Sequence, residues 1–166
     1  MNASAYRSPI FTNGYEHTEG TGYQLPEYPF EMPPELSGQV SQLHPVVVVG
    51  GGITGLTMSC ALAMQGVPVV MVDEDNTVGV KGASSRGICY TQQSLEILDR
   101  LGVFDAIAKK GIEWHVGRTF AGSDEVFSFD LQAQKGFGLS CQPSFINIQQ
   151  FYIEGYLVER LMTLKQ

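Results

Sequence analysis

The stretch Val46–Asp73, VVVVGGGITGLTMSCALAMQGVPVVMVD, decides how the rest of the chain reads. Four valines, Val46 to Val49, make an apolar run without polar alternation, which suits a parallel strand buried on both faces. Gly50, Gly52 and Gly55 then set out a G-x-G-x-x-G pattern. Leu56 to Gln65 reads as helix, with Leu56, Cys60 and Ala63 on one apolar side and Gly66 as its stop. A second apolar run, Val67 to Val72, ends on Asp73. Strand, tight turn, helix, strand and acid together predict one βαβ unit of the kind that binds a dinucleotide.

Each residue type in this pattern has a chemical reason. Gly50 allows the sharp turn out of the strand, Gly52 leaves room for a pyrophosphate, and Gly55 lets the helix pack close to the strands. The helix beginning near Ile53, with Thr54 next in its first turn, aims N–H groups and the positive end of its dipole at the phosphates. Asp73 stands eighteen positions beyond Gly55. At the tip of the second strand its carboxylate accepts hydrogen bonds from both hydroxyls of an adenosine ribose and repels a 2′-phosphate, which argues against NADP here. A glycine-rich turn in an ordinary α/β sheet is the plainer reading, but it leaves the acid unexplained. The motif alone does not separate NAD from FAD.

A chain of 166 residues makes one modest domain with a real core, and its 43% hydrophobic content is ordinary. A formal net charge of −7 argues against nucleic acid or an anionic membrane as partner, since both need basic surface. Cys60, Cys89 and Cys141 have neither metal-ligand spacing nor an even-numbered disulfide plan, so no metal is expected. They read as reduced thiols of a cytoplasmic protein, Cys60 as a small core residue. No stretch is long and apolar enough to span a membrane.

Residues 1–44 differ from the rest, being rich in Gly, Pro, Tyr, Ser and Glu. Pro26, Pro29, Pro33 and Pro34 forbid a regular helix, and YQLPEYPFEMPPEL carries enough apolar side chains to pack as an extended arm. A proline motif for a partner is the lesser alternative. The remainder, 45–166, is expected to form the nucleotide-binding domain. After Asp73 a polar loop leads to Ser84-Ser85-Arg86-Gly87, and Thr91 is placed to cap a helix with Leu95, Ile97, Leu98 and Leu101 on an apolar stripe. Val103 to Lys110 predicts a short helix ending on Gly111. Glu113–Phe120 and Glu125–Leu131 predict a hairpin, half-exposed because Phe127, Phe129 and Leu131 alternate with Ser128 and Asp130. Trp114 and His115 at its start read as a packed Trp and an exposed His rather than ligand contacts. Phe145 to Ile148 is a short strand, and Gln149 to Lys165 an amphipathic helix with Ile153, Leu157, Leu161 and Leu164 on one side.

Four segments in order, HPVVVVGGGITGL, VPVVMVDED, SSRGICYTQQSLEILDRLG and PSFINIQQFYIEGYLVERL, resemble a known family. From His44 to Leu164 the chain is similar to the N-terminal part of class A FAD-dependent monooxygenases of the para-hydroxybenzoate hydroxylase type. Within these it most resembles the 3-(3-hydroxyphenyl)propionate hydroxylase-like enzymes, even in the YPFEMPPEL arm. The resemblance implies an α/β fold: a Rossmann-like FAD-binding βαβ with a parallel sheet and a small antiparallel hairpin. It implies FAD as cofactor, NAD(P)H as electron donor, and O2 as the source of one oxygen atom for a small aromatic substrate, with water kept from the flavin.

Carried over by residue, Gly50, Gly52 and Gly55, with Ile53 and Thr54 in the same turn, take the FAD pyrophosphate. Asp73 takes the adenosine ribose, where the family more often has Glu. Arg86 matches an arginine that lies along the FAD, and a guanidinium suits a phosphate because it pairs bidentately. A solvated surface arginine is its plainer reading. Gln150 matches a glutamine at the flavin's ribityl region; Gln149 is the alternative match, and a simple helix-start glutamine the plain one. Because the family's later flavin and substrate segments would lie beyond Gln166, the chain is expected to be a truncated portion of the domain. Activity of that portion alone is not expected, and the resemblance assigns no catalytic residue. A non-catalytic adenine-dinucleotide module, an inactive fragment, and an FAD oxidoreductase of another class are the alternative functions. The SSRGICYTQQSLEILDRLG segment favours the hydroxylase over the last of these.

Overall fold

A computed structural model describes residues 26–38, 43–74, 76–78, 87–133 and 140–164 of the chain. Strand β1 (Val46–Val49) and strand β2 (Val69–Val72) run parallel, Val46 opposite Val69 and Val49 opposite Val72, with helix α1 (Ile53–Met64) crossing between them. Then follow β3 (Cys89–Thr91), α2 (Gln92–Arg100), α3 (Phe104–Lys110), β4 (Ile112–Glu113), β5 (Val116–Ala121), β6 (Asp124–Asp130), β7 (Phe145–Asn147) and α4 (Gln150–Leu164). The architecture is mixed α/β: one parallel pair, an antiparallel sheet in the order β3-β7-β4, and a separate β5–β6 hairpin.

The βαβ unit forms where the sequence places it. The chain leaves α1 through a Schellman closure, in which Gly66 N–H reaches the Ala63 carbonyl at 2.9 Å and Val67 N–H the Leu62 carbonyl at 3.0 Å. One expectation fails at β1. The valine run predicts burial on both faces, yet Val47 is 53% and Val49 82% exposed while Val46 and Val48 are partly covered. Among the described residues the sheet is two strands wide and packs α1 on the Val48 side, so alternate valines meet solvent.

The core lies between α1, α4, α2 and the antiparallel sheet. Leu56, Cys60, Leu95, Ile107, Ile146, Ile153 and Leu157 are all fully buried there, each large side chain contributing about 1.5–3 kcal/mol. Cys60 Sγ donates to the Leu157 carbonyl at 3.5 Å where α1 meets α4, and Arg160 Nε donates to the Leu101 carbonyl at 3.0 Å, tying α4 to the end of α2. Thr91 caps α2 as its sequence predicts, accepting the Ser94 N–H at 3.4 Å. Leu95, Leu98 and Leu101 are buried, but Ile97, expected on the same stripe, turns into solvent. Gly111 follows α3 in an extended conformation rather than a left-handed one. It is small because a Cβ there would overlap Ile146.

The predicted hairpin begins later than its sequence suggests. Its first strand breaks at Trp114 and His115, so that Ile112–Glu113 pairs with β7 while Val116 onward pairs with β6. The Trp114 ring holds this break: it stacks on Phe145 at 5.0 Å between centroids and donates from Nε1 to Asn147 Oδ1 at 2.7 Å. His115 Nδ1 lies 3.0 Å from Asp130 Oδ1, a bond that, together with the Gln132 amide, holds the Asp130 carboxyl below the usual carboxylate range. The expectation of one covered face also fails, since every residue of β6 is exposed and only Leu131, just past it, is buried. The short strand β3 was not predicted, because three residues that start on a loop and end on a helix cap carry little pattern.

The arm meets the unit at the loop after β2. Thr77 Oγ1 donates to the Pro26 carbonyl and Tyr28 N–H to the Asn76 carbonyl, both at 2.7 Å, so residues 26–28 lie along the loop after β2. Residues 1–25 of the arm and Arg86 lie outside the described residues. No helix among the described residues is long and apolar enough to cross a membrane.

Candidate dinucleotide site

The site is built where β1 hands over to α1. Gly50 extends the strand ladder by donating to the Val72 carbonyl at 2.9 Å, then turns with φ +103°, a conformation that other residues rarely adopt. Gly55 sits one helical turn on, and a Cβ there would overlap the Gly50 carbonyl, so only glycine lets α1 start this close to β1. Gly52 is different. It caps α1 in an extended conformation, and a Cβ built on it would have Glu154 Oε1, at 3.9 Å, as its nearest neighbour. One glycine of the motif is thus small for packing, while another borders the groove with room for a Cβ, as a phosphate cradle requires.

Asp73 closes the mouth of this turn. Its exposed carboxylate leaves the end of β2 and accepts the Gly51 N–H on Oδ2 at 2.5 Å. The acid and the glycine turn, 22 residues apart in sequence, are therefore in direct contact. A groove of about 520 Å³ runs past the turn, lined by Val48, Val49, Gly50, Gly52, Ile53, Thr54, Gly55, Met58 and Gln150. This size falls in the usual range for small-molecule sites. The predicted residues Gly50, Gly52, Ile53, Thr54, Gly55 and Gln150 meet in one place, with Asp73 beside them. Of the two candidate glutamines, Gln150 is the one that lines the groove.

One part of the predicted chemistry changes. The first amide of α1 is expected to point at a ligand, but Ile53 N–H donates to Glu154 Oε1 at 3.1 Å. The same oxygen accepts from Gln150 Nε2 at 2.7 Å. Glu154 is 3% exposed, so its carboxyl group is buried where α4 meets the start of α1 and there accepts these two donors. Tyr90 stands nearby with its hydroxyl 3.4 Å from the Gly87 carbonyl. Burial first, and the negative charges of Glu154 and Cys89 after it, push its phenol up to about 12. Sequence reasoning missed Glu154. The available signal was an acid wedged beside Ile153 and Leu157 on the apolar side of a helix, one turn after Gln150.

A parallel βαβ with a glycine cradle at the first strand–helix junction and a carboxylate at the tip of the second strand defines a dinucleotide-binding fold. The sequence profile of the FAD binding domain family matches residues 44–164, and the chain belongs to that family. The chain is 32% identical over 94 residues to a rifampicin monooxygenase from Rhodococcus hoagii, covering 57% of this chain and 19% of that one. It is 28% identical over 121 residues to a flavin-dependent monooxygenase from Mycobacteroides abscessus, covering 70% and 25% respectively. Among solved structures, p-nitrophenol 4-monooxygenase PnpA from Pseudomonas putida DLL-E4 superposes with a TM-score of 0.64 at 28% identity, covering 74% of this chain and 30% of that one. The chain thus spans a quarter or less of the length of these two curated relatives.

Proposed function

We propose that this chain is the FAD-holding part of a flavin-dependent monooxygenase that hydroxylates a small aromatic substrate with NAD(P)H and O2. The observation that carries this reading is the Gly50–Gly55 cradle, open at Gly52 and closed at its mouth by Asp73. In this reading the amides of Gly51, Gly52 and Thr54 hold the diphosphate. Asp73 exchanges its bond to Gly51 for the hydroxyls of the adenosine ribose, and its charge disfavours a 2′-phosphate. Gln150 faces the ribityl chain from α4, and the Arg86 guanidinium pairs with a phosphate. Bound FAD supplies the redox chemistry, accepting electrons from NAD(P)H and activating O2 for transfer of one oxygen atom to the ring.

Residues 1–44 serve as an arm on a domain that occupies 45–166. The exposed thiols of Cys89 and Cys141 suit a reducing compartment, the cytoplasm. The test has two parts. Purified protein titrated with FAD is expected to quench flavin fluorescence with one FAD per chain, and ADP is expected to compete. In a chain that also carries the later flavin and substrate segments, NAD(P)H oxidation is expected to rise when phenols are added. Binding without stimulation by any phenol would favour a non-catalytic dinucleotide module, and no binding would refute the FAD reading.

A further inference from the structure

We propose that Glu154 is a positioning residue for the diphosphate cradle, holding the first amide of α1 and the side-chain amide of Gln150 on one buried carboxylate oxygen. The proposal rests on the FAD reading and adds a residue that the glycine motif does not contain. Burying a carboxylate is costly unless donors meet it, so a 3%-exposed Glu154 in the α1–α4 contact calls for a compensating role. Two donors meet it from separate elements: the backbone of Ile53 at the start of α1 and the Gln150 side chain one turn back on α4.

Two consequences follow for the groove. The first concerns Ile53. With its N–H held by Glu154, the diphosphate is met by the amides of Gly51, Gly52 and Thr54, not by Ile53 itself. The second concerns Gln150. A carboxylate only accepts hydrogen bonds, so Gln150 must turn its NH2 toward Glu154. Its carbonyl oxygen then lies on the Gly87 side, where a Cβ built on Gly87 would stand 3.5 Å away. Glu154 thus fixes which end of the Gln150 amide faces α1 and which faces Gly87. Glu154 touches neither group of the ligand and acts through Ile53 and Gln150.

The experiment compares FAD and ADP affinity for the wild-type chain, E154Q and E154L, with far-UV circular dichroism recorded on each. Glutamine keeps an oxygen that accepts both bonds, so E154Q is expected to bind both ligands within threefold of the wild type. E154L removes the acceptor and is expected to bind both at least tenfold more weakly. Unchanged binding by E154L, or a loss in E154Q as large as in E154L, would overturn the proposal. Should E154L fail to fold, the ¹⁵N–¹H spectrum of the wild type decides. On adding ADP the Gly51 and Gly52 amides are expected to shift strongly and the Ile53 amide to stay nearly fixed, and an Ile53 shift as large as theirs would overturn it. A wild-type chain that binds neither FAD nor ADP would remove the FAD reading and this proposal together. Tight wild-type binding with E154L unaffected would remove this proposal alone.

Discussion

The β1–α1 junction and the β5–β6 hairpin both set apolar side chains in solvent, yet they are held in shape by different means. At the junction the backbone is over-determined. Gly50 takes a left-handed φ, Gly55 lies against the Gly50 carbonyl, Asp73 holds Gly51, and Glu154 holds Ile53. In the hairpin the ladder, with one register shift at Thr119/Phe120, is joined by exposed side-chain pairs, Arg118 with Glu125 and His115 with Asp130, and Phe127 is 59% exposed beside its strand neighbours. Apolar residues at the junction border a groove whose polar atoms are placed by contacts from β2 and α4. Those in the hairpin border one another and Trp114. Exposure by itself therefore says little about function; convergence of fixed polar groups says more.

Substitutions at the two places separate these modes. The largest effect is expected for Gly55→Ala, because its methyl meets backbone that has no room to yield. A loss of about 3 kcal/mol is expected from urea unfolding, and a wild-type midpoint would show that the helix does not pack as tightly as described. Gly52→Ala should behave oppositely. Its methyl meets only Glu154 Oε1, at an ordinary contact distance, so stability changes by less than about 1 kcal/mol, while FAD affinity falls about tenfold or more, roughly 1.4 kcal/mol, by fluorescence titration.

The core behind the junction answers to pH. Burial pushes the Cys60 thiol up to about 11, with Arg160 opposing. Because the folded state holds this proton more tightly than the unfolded one, the stabilisation is complete below the ordinary thiol pKa. It fades as pH rises from there toward 11. Thiol titration at pH 8 is expected to find Cys89 and Cys141 reactive at once and Cys60 only on unfolding. Three fast thiols would show that α1 and α4 separate. The smallest effect is expected for Phe127→Ala, within about 0.5 kcal/mol by urea unfolding. A loss of several times that would mean that the hairpin face is packed after all.

Sequence reasoning reached the junction because its residues are dictated by backbone geometry. A strand–glycine–helix–strand–acid order has few other solutions, and Gly50, Gly52, Gly55, Ile53, Thr54 and Asp73 are brought together as their spacing implies. The leucines of α2 were legible from helical period, though Ile97 shows that period alone does not fix which side chain turns out. What escaped depended on contacts distant in sequence. Glu154 meets Ile53 across 101 residues, and only the packing of α4 on α1 brings them together. The strand break at Trp114 depends on Phe145 and Asn147, which arrive with β7. The exposure of Val47 and Val49 depends on which elements flank the sheet, and an apolar run does not encode that.

The most direct test of the central claim is a crystal structure of the chain grown with FAD. Diphosphate density is expected against the amides of Gly51 and Gly52, with the Asp73 carboxylate turned from Gly51 onto the adenosine ribose. FAD bound elsewhere on the chain, or a ribose that leaves Asp73 on Gly51, would contradict it.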